Sequence, residues 1–186
     1  TKVSARRVFE LVDEEPPVTD PAEPVDSPES HALEIEGLSF RFGPTEPLVL
    51  QDLDLGVGAG ERVALVGPSG SGKSTLVSLL LRFWEYDTGS IRLGGRELHE
   101  LDQEVAREQL AVVPQDVHLF NATIEDNLLL AEAHATREEI ERACAVAQLD
   151  PFVATLPECY DTVVGEDGLL LTGGERRRLA IARAVL

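Results

Sequence analysis

Apolar positions along the chain recur with two periods, and the change from one to the other organises the sequence. Residues 32–42 alternate, with Leu33 and Ile35 in one phase and Leu38, Phe40 and Phe42 in the other. The shift falls at Gly37, so the pattern predicts a strand interrupted by a bulge. Residues 49–55 alternate again and predict a second strand. Val63-Ala64-Leu65-Val66 is a continuous apolar run, and residues 61–66 therefore predict a short, fully buried strand. Residues 90–93 and 110–113 predict two more. A helical period takes over elsewhere: Leu76, Val77, Leu79 and Leu80 form a stripe, and residues 123–130, 137–148 and 175–186 carry the same spacing. Residues 4–12 read as the end of another helix, with Val8, Leu11 and Val12 on one side. Strands dominate early and helices late, without internal repeats, which predicts an α/β fold.

Residues 13–30 break both periods. They hold five prolines and seven acids without one basic residue, so they predict an extended or disordered linker, with the folded domain opening near His31. A length of 186 residues suits one domain with an extension, and 43% hydrophobic content can build its core. The formal charge of −18 argues against a nucleic-acid partner, whose binding surface needs clustered positive charge. Cys144 and Cys159 lack metal-site spacing, as do His31, His99, His118 and His134. Cys144 falls in a helical pattern as a small core residue, and two cysteines in a domain of this size fit a reducing compartment. Trp84 reads as packing. No apolar run approaches the roughly 20 residues that span a bilayer, and the pattern predicts no signal peptide within these residues. The lack of any methionine suggests an internal piece of a longer protein.

Candidate chemistry concentrates at Gly67-Pro68-Ser69-Gly70-Ser71-Gly72-Lys73-Ser74-Thr75, which fits the phosphate-loop pattern G-x-x-x-x-G-K-[ST]. Glycines let successive N–H groups turn inward around an anion. Lys73 brings a point charge to the β and γ phosphates, and Ser74 offers a hydroxyl to Mg²⁺. A helix beginning near Gly72 adds the positive end of its dipole. The apolar run before the loop and the helical stripe after it supply the strand and helix that the motif requires. One of the chain's two lysines, Lys2 and Lys73, lies inside it.

A phosphate loop alone fits small-molecule kinases, GTPases and many ATPases, and other residues discriminate among them. Gln115 follows the apolar stretch 110–113 and Pro114, ahead of Leu119-Phe120. Thr162-Val163-Val164-Gly165-Glu166-Asp167-Gly168 comes later, then Leu171-Thr172-Gly173-Gly174-Glu175 and Arg176-Arg177-Arg178. Thr172, Gly173 and Gly174 precede a helical run, so their N–H groups form a second phosphate-binding element. Arg176–Arg178 read as a solvated helix face. In this order the segments resemble the nucleotide-binding domain of ABC transporters of the exporter type.

The resemblance covers residues 31–186 and, more loosely, the N-terminal helix. It implies a P-loop NTPase (ABC ATPase) core with a mixed sheet and a helical subdomain at about 116–165. Residues 1–12 would continue from a membrane domain and 13–30 would be the tether. Leu171–Glu175 resembles the signature L-S-G-G-Q, Thr172 keeping the hydroxyl and Glu175 replacing Gln. An anion there is mildly unfavourable to phosphate unless it points away or pairs with the following arginines. Gln115 resembles the glutamine that reaches Mg²⁺ and the attacking water, and Phe42 stands where the family stacks an aromatic ring on adenine. The loop 162–168 resembles one that touches the membrane domains, Val163 departing from the usual Glu.

ATP and Mg²⁺ are the implied cofactors. The implied partners are a second nucleotide-binding domain, closing head to tail as a homo- or heterodimer, and the membrane-spanning domains, which would hold the chain at the cytoplasmic face of the plasma membrane. The family's Asp-Glu strand and His switch find no match here, so the resemblance implies an ATPase in the parent protein and a C-terminally incomplete piece that binds ATP but hydrolyses it poorly. Uncovered sheet edges then predict a marginal fold for the piece alone. Within the family the segment after Gln115 and the run Gly173–Arg178 are most similar to the CydC/CydD pair of thiol exporters, with a lipid or drug exporter as the alternative. A soluble ABC ATPase acting on DNA would need a basic surface, and a P-loop kinase would need lid arginines.

Overall fold

The structure is a computed structural model and describes residues 18–166 and 168–186. The expected helix at 4–12, the first part of the expected linker and Asp167 lie outside the described residues. The chain divides into two compact units at Leu110/Ala111.

The first unit is built on a four-stranded sheet in the order β2-β1-β3-β4, formed by Leu33–Phe40 (β1), Leu50–Val57 (β2), Thr88–Leu93 (β3) and Arg96–Glu97 (β4). Every pairing in it is antiparallel. The bulge expected at Gly37 is present: the register of β1 against β2 shifts between Ile35 and Leu38. That slip keeps Ile35, Leu38 and Phe40 all buried although their spacing breaks strict alternation. The helix α1, Lys73–Leu80, lays Leu76 and Leu79 into the same core as these residues, with Leu50, Ile91, Leu98 and Leu101. A short helix α2, Gln103–Glu108, follows, capped by the Asp102 side chain, which accepts from the Glu104 N–H at 2.8 Å.

Two expected strands are corrected. Residues 61–66 and 110–113 have no strand assignment, and Val66 is 91% exposed. Among the described residues no strand pairs with either segment. A continuous apolar run becomes a buried strand only where neighbours satisfy its backbone and cover its faces, and neither condition is met.

The acidic segment 18–30 has no helix or strand, yet it is fastened to the first unit. Val18 is buried, and the Val25 N–H donates to the Glu100 carbonyl at 3.0 Å. The Gln103 N–H donates to the Asp20 carboxylate at 2.9 Å. Arg82, only 3% exposed and in the left-handed region at φ 53°, completes the attachment. Its guanidinium donates to the carbonyls of Leu101 and Thr19 and lies within 3.7 Å of Asp20 and 3.5 Å of Glu85.

The second unit is mainly helical: Ile124–Leu129 (α3), Arg137–Val146 (α4), Asp150–Val153 (α5) and Gly173–Val185 (α6), with the two-stranded ribbon Ala122–Thr123 (β5) and Val163–Val164 (β6). Its core gathers Ile124, Leu128, Ile140, Cys144, Leu149 and Leu179. Burial pushes the Cys144 thiol above its ordinary pKa, in keeping with a core role. Helices α3, α4 and α6 each begin with a capping box, in which a threonine hydroxyl accepts the N3 N–H and the N3 carboxylate accepts the threonine N–H.

Candidate nucleotide-binding site

Gly67 through Ser71 lie exposed ahead of α1, with a turn at Ser69-Gly70, and bring the chain to the helix start at Lys73. Gly72 is the N-cap at φ 88°, no side chain caps the helix, and no acid lies in its first turn. The first N–H groups of α1 thus keep their donor capacity and the positive end of the dipole is not neutralised locally. Only glycine fits at 72: a Cβ there would meet Leu50 Cδ2 at 2.6 Å and the Val49 carbonyl at 3.2 Å. The close approach seats the loop against β2. Lys73 Nζ donates to the carbonyls of Gly67 and Pro68, at 2.9 and 2.7 Å, and to Ser71 Oγ at 3.0 Å. The ammonium is therefore drawn back over the loop. Ser74 is exposed and Thr75 half-buried at the start of the helix. The arrangement can hold an anionic, polyphosphate-like group.

Phe42 lies two residues beyond the end of β1 and is 44% exposed. The Val49 N–H donates to the Phe40 carbonyl at 2.8 Å, and Phe40 pairs with Leu50, the residue packed on Gly72. The aromatic end of β1 is thus one strand away from the phosphate loop.

The remaining expected site residues belong to the second unit. Gln115 sits in an exposed bend. Thr172 is the N-cap of α6, followed by exposed Gly173 and Gly174. The Thr172 N–H donates to the Glu175 carboxylate at 2.7 Å, and the Glu175 N–H donates to Thr172 Oγ at 3.4 Å. The Glu175 carboxylate, expected to be mildly unfavourable to phosphate unless it points away or pairs with the following arginines, turns back to close the cap and leaves the Gly173 and Gly174 N–H groups outside the box. The spacing T-x-x-E carried that signal in the sequence. Arg176–Arg178 are exposed, as expected, with Arg176 Nε also donating to the Leu171 carbonyl at 3.1 Å.

Residues 50–186, which contain the phosphate loop, the glutamine bend and the glycine-led helix, match the family described as ABC transporter. The chain belongs to the ABC transporter family. Its fold is that of the ABC ATPases, a P-loop NTPase fold of mixed α/β content. It is 42% identical over 186 residues to the multidrug efflux ATP-binding/permease protein Rv0194 of Mycobacterium tuberculosis, covering 100% of this chain and 15% of that protein. It is 46% identical over 183 residues to the ATP-dependent lipid A-core flippase of Pseudomonas fluorescens, covering 98% of this chain and 30% of the flippase. A solved bacterial Atm1-family ABC exporter with ATP bound superposes with a TM-score of 0.89 at 38% identity, covering 98% of this chain and 32% of that one. The chain thus spans a third or less of the length of these relatives.

Two features of this ABC domain escaped the sequence. Asn127 in α3 is fully buried: its Oδ1 accepts from the Phe120 N–H at 3.0 Å, and its Nδ2 donates to the carbonyls of Phe120 and Thr123 at 3.0 and 2.9 Å. Arg183 of α6 donates to Asn127 Oδ1 and to the Asn127 carbonyl, both at 2.7 Å, and to the His118 carbonyl at 3.0 Å. Burial holds the Arg183 pKa below its ordinary value. The pair pins the stretch after Gln115 to the helix capped by Thr172. The second feature is a groove of about 390 Å³ in which Val117, Leu119 and Phe120 face Gly165, Glu166 and Leu170. Leu170 is 74% exposed at its edge. Among the described residues no cluster of three or more His, Cys, Asp or Glu could hold a metal ion, and no helix is long and apolar enough to cross a membrane.

Proposed function

We propose that this chain is the ATP-binding domain of an ABC exporter, in which ATP binding and hydrolysis drive substrate across a membrane. The observation that carries the reading is the α1 N-terminus: uncapped, free of acids in its first turn, and overhung by Lys73. In this reading the loop 67–75 binds the phosphates, Phe42 stacks on the adenine, and Gln115 orients water and senses the γ phosphate. Ser74, an exposed hydroxyl oxygen, and Gln115, an amide oxygen, suit a hard ion such as Mg²⁺ that is held largely by substrate phosphates. Mg²⁺ would neutralise charge developing on the phosphates. Thr172, Gly173, Gly174 and Glu175 cap the ATP bound by a second nucleotide-binding domain, head to tail. No general base is assigned within these residues, so hydrolysis belongs to the intact protein.

The groove between 117–121 and 165–170 supports docking of the membrane-spanning domains, because its lining includes Gly165 and Glu166 of the loop that the family resemblance places against them. Residues 1–12 and 13–30 then form the connection to the membrane domain, with 31–186 as the nucleotide-binding domain at the cytoplasmic face. For the cargo, the names of the relatives favour a lipid or a drug over the thiol reading drawn from the CydC/CydD resemblance. Lys73→Ala in the intact protein tests the binding claim by equilibrium ATP titration. We expect affinity to fall about a hundredfold, from loss of a charge-assisted contact to phosphate. Unchanged affinity would overturn the reading.

A further inference from the structure

Three aromatic rings lie together at the open end of β1. Phe40 is buried, whereas Phe42 and Trp84 are 44% and 37% exposed. The Phe42 ring stands 5.0 Å from Phe40 at 84° and 5.2 Å from Trp84 at 82°, and Trp84 is 6.3 Å from Phe40. Phe42 is thus held by two near-perpendicular neighbours, the geometry in which one ring's positive edge meets another's negative face. The backbone carrying the rings is tied as well. The Arg41 N–H donates to the Asp87 carboxylate at 2.9 Å, the Asp87 N–H donates to the Ser39 carbonyl at 3.1 Å, and Arg41 Nε lies 3.7 Å from Asp87. These bonds join the residues flanking Phe42 to the segment that leaves Trp84. Packing alone would bury such rings, as it buries Phe40. Instead the two outer ones stay half open, locked edge to face, one strand from the phosphate loop.

We propose that Trp84 is a positioning residue for nucleotide recognition: it fixes the Phe42 ring in the orientation that receives the base, while the loop holds the phosphates. The inference rests on the reading of Phe42 as the base-stacking ring. A fixed ring needs no ordering when the base arrives, so its stacking energy is not spent on restraint. Trp84 acts only on ligands that carry a base.

The test compares ATP with inorganic triphosphate, which has the charge but no base, on the intact protein and its Trp84→Leu, Trp84→Phe and Phe42→Ala variants. Trp84→Leu should weaken ATP binding about threefold to tenfold, the range of an edge-to-face pair, and raise KM with kcat unchanged. Affinity for triphosphate should not move, and Trp84→Phe should restore most of the loss. Loss of ATP affinity in Phe42→Ala but not in Trp84→Leu would overturn the role of Trp84 and leave the base-stacking reading standing. Equal losses for ATP and triphosphate in Trp84→Leu would reduce Trp84 to a structural residue and overturn the proposal. Phe42→Ala without effect on ATP would remove the reading on which it rests.

Discussion

Glycines stand at the starts of two helices here, as the N-cap of α1 and the first residue of α6, and the two starts are finished in opposite ways. At α1 the N-cap is Gly72, left-handed, with no side chain capping the helix and no acid in the first turn. At α6 Thr172 and Glu175 close a reciprocal box over the helix start, and Gly173 and Gly174 stand between them. A helix that satisfies its own terminus gains stability and keeps fewer donors for a ligand. The α1 end gives up that stabilisation and retains its donors, as an anion site requires. The α6 end compromises: its cap is closed, and the two glycine N–H groups stay outside the box. Under the proposed function, the difference fits a primary hold on ATP at α1 and a completing contact at α6.

The largest break in this contrast should come from closing the open end. Gly72→Ala puts a Cβ at φ 88° against Leu50 and the Val49 carbonyl, so α1 should lose about 2 kcal/mol of local stability. Hydrogen exchange of residues 73–80 should accelerate and ATP affinity should fall with it. Protection equal to that of the unaltered protein would show that the loop does not need its seat on β2. A smaller effect should follow from opening the closed end. Thr172→Ala removes the cap of α6 and should cost about 1 kcal/mol, seen as faster exchange in its first turn. Glu175→Gln keeps a capping-box partner and should stay within about 0.5 kcal/mol of the original. A large loss in the Gln variant would mean that the charge of Glu175, rather than its hydrogen bond, holds the helix start.

The smallest effect sharpens the comparison through pH at the equivalent box of α4. Hydrogen bonds from the Thr136 backbone N–H and then its hydroxyl hold the Glu139 carboxyl below its ordinary value of 4.5. A depressed carboxylate contributes stability that is complete above the unfolded value and lost as pH falls through the folded one. Exchange protection at the start of α4 should therefore decline slightly as pH drops below 4.5, and Glu139→Gln should remove that decline. The same pH profile in both proteins would assign the loss to other groups. At α1, with no acid in its first turn, no such local carboxylate contribution is expected.

What the sequence disclosed follows from the range of the interactions involved. The phosphate loop, the bulge at Gly37 and the starts of α3, α4 and α6 depend on residues within a few positions of one another, so spacing reveals them. Arg82 reaches Thr19, 63 residues away, and Arg183 reaches His118 at a separation of 65. Nothing in the local pattern distinguishes either arginine from a solvated one. Residues 61–66 failed for a related reason: apolarity states that a segment can be covered, whereas coverage itself depends on strands elsewhere. The segment 171–175 was legible as a glycine-led helix start, but the service of Glu175 to that helix was overlooked in favour of its charge.

The buried Arg82 has a mechanical consequence. It lies two residues beyond α1, at the opposite end from the phosphate loop, and grips Thr19 and Asp20 as well as Leu101. Part of any tension applied along the acidic segment arrives at this guanidinium and is delivered to the tail of the helix whose head carries the phosphate loop. One of the load paths from the acidic segment therefore runs through the Arg82 guanidinium into about 12 Å of α-helix that ends at the phosphate loop.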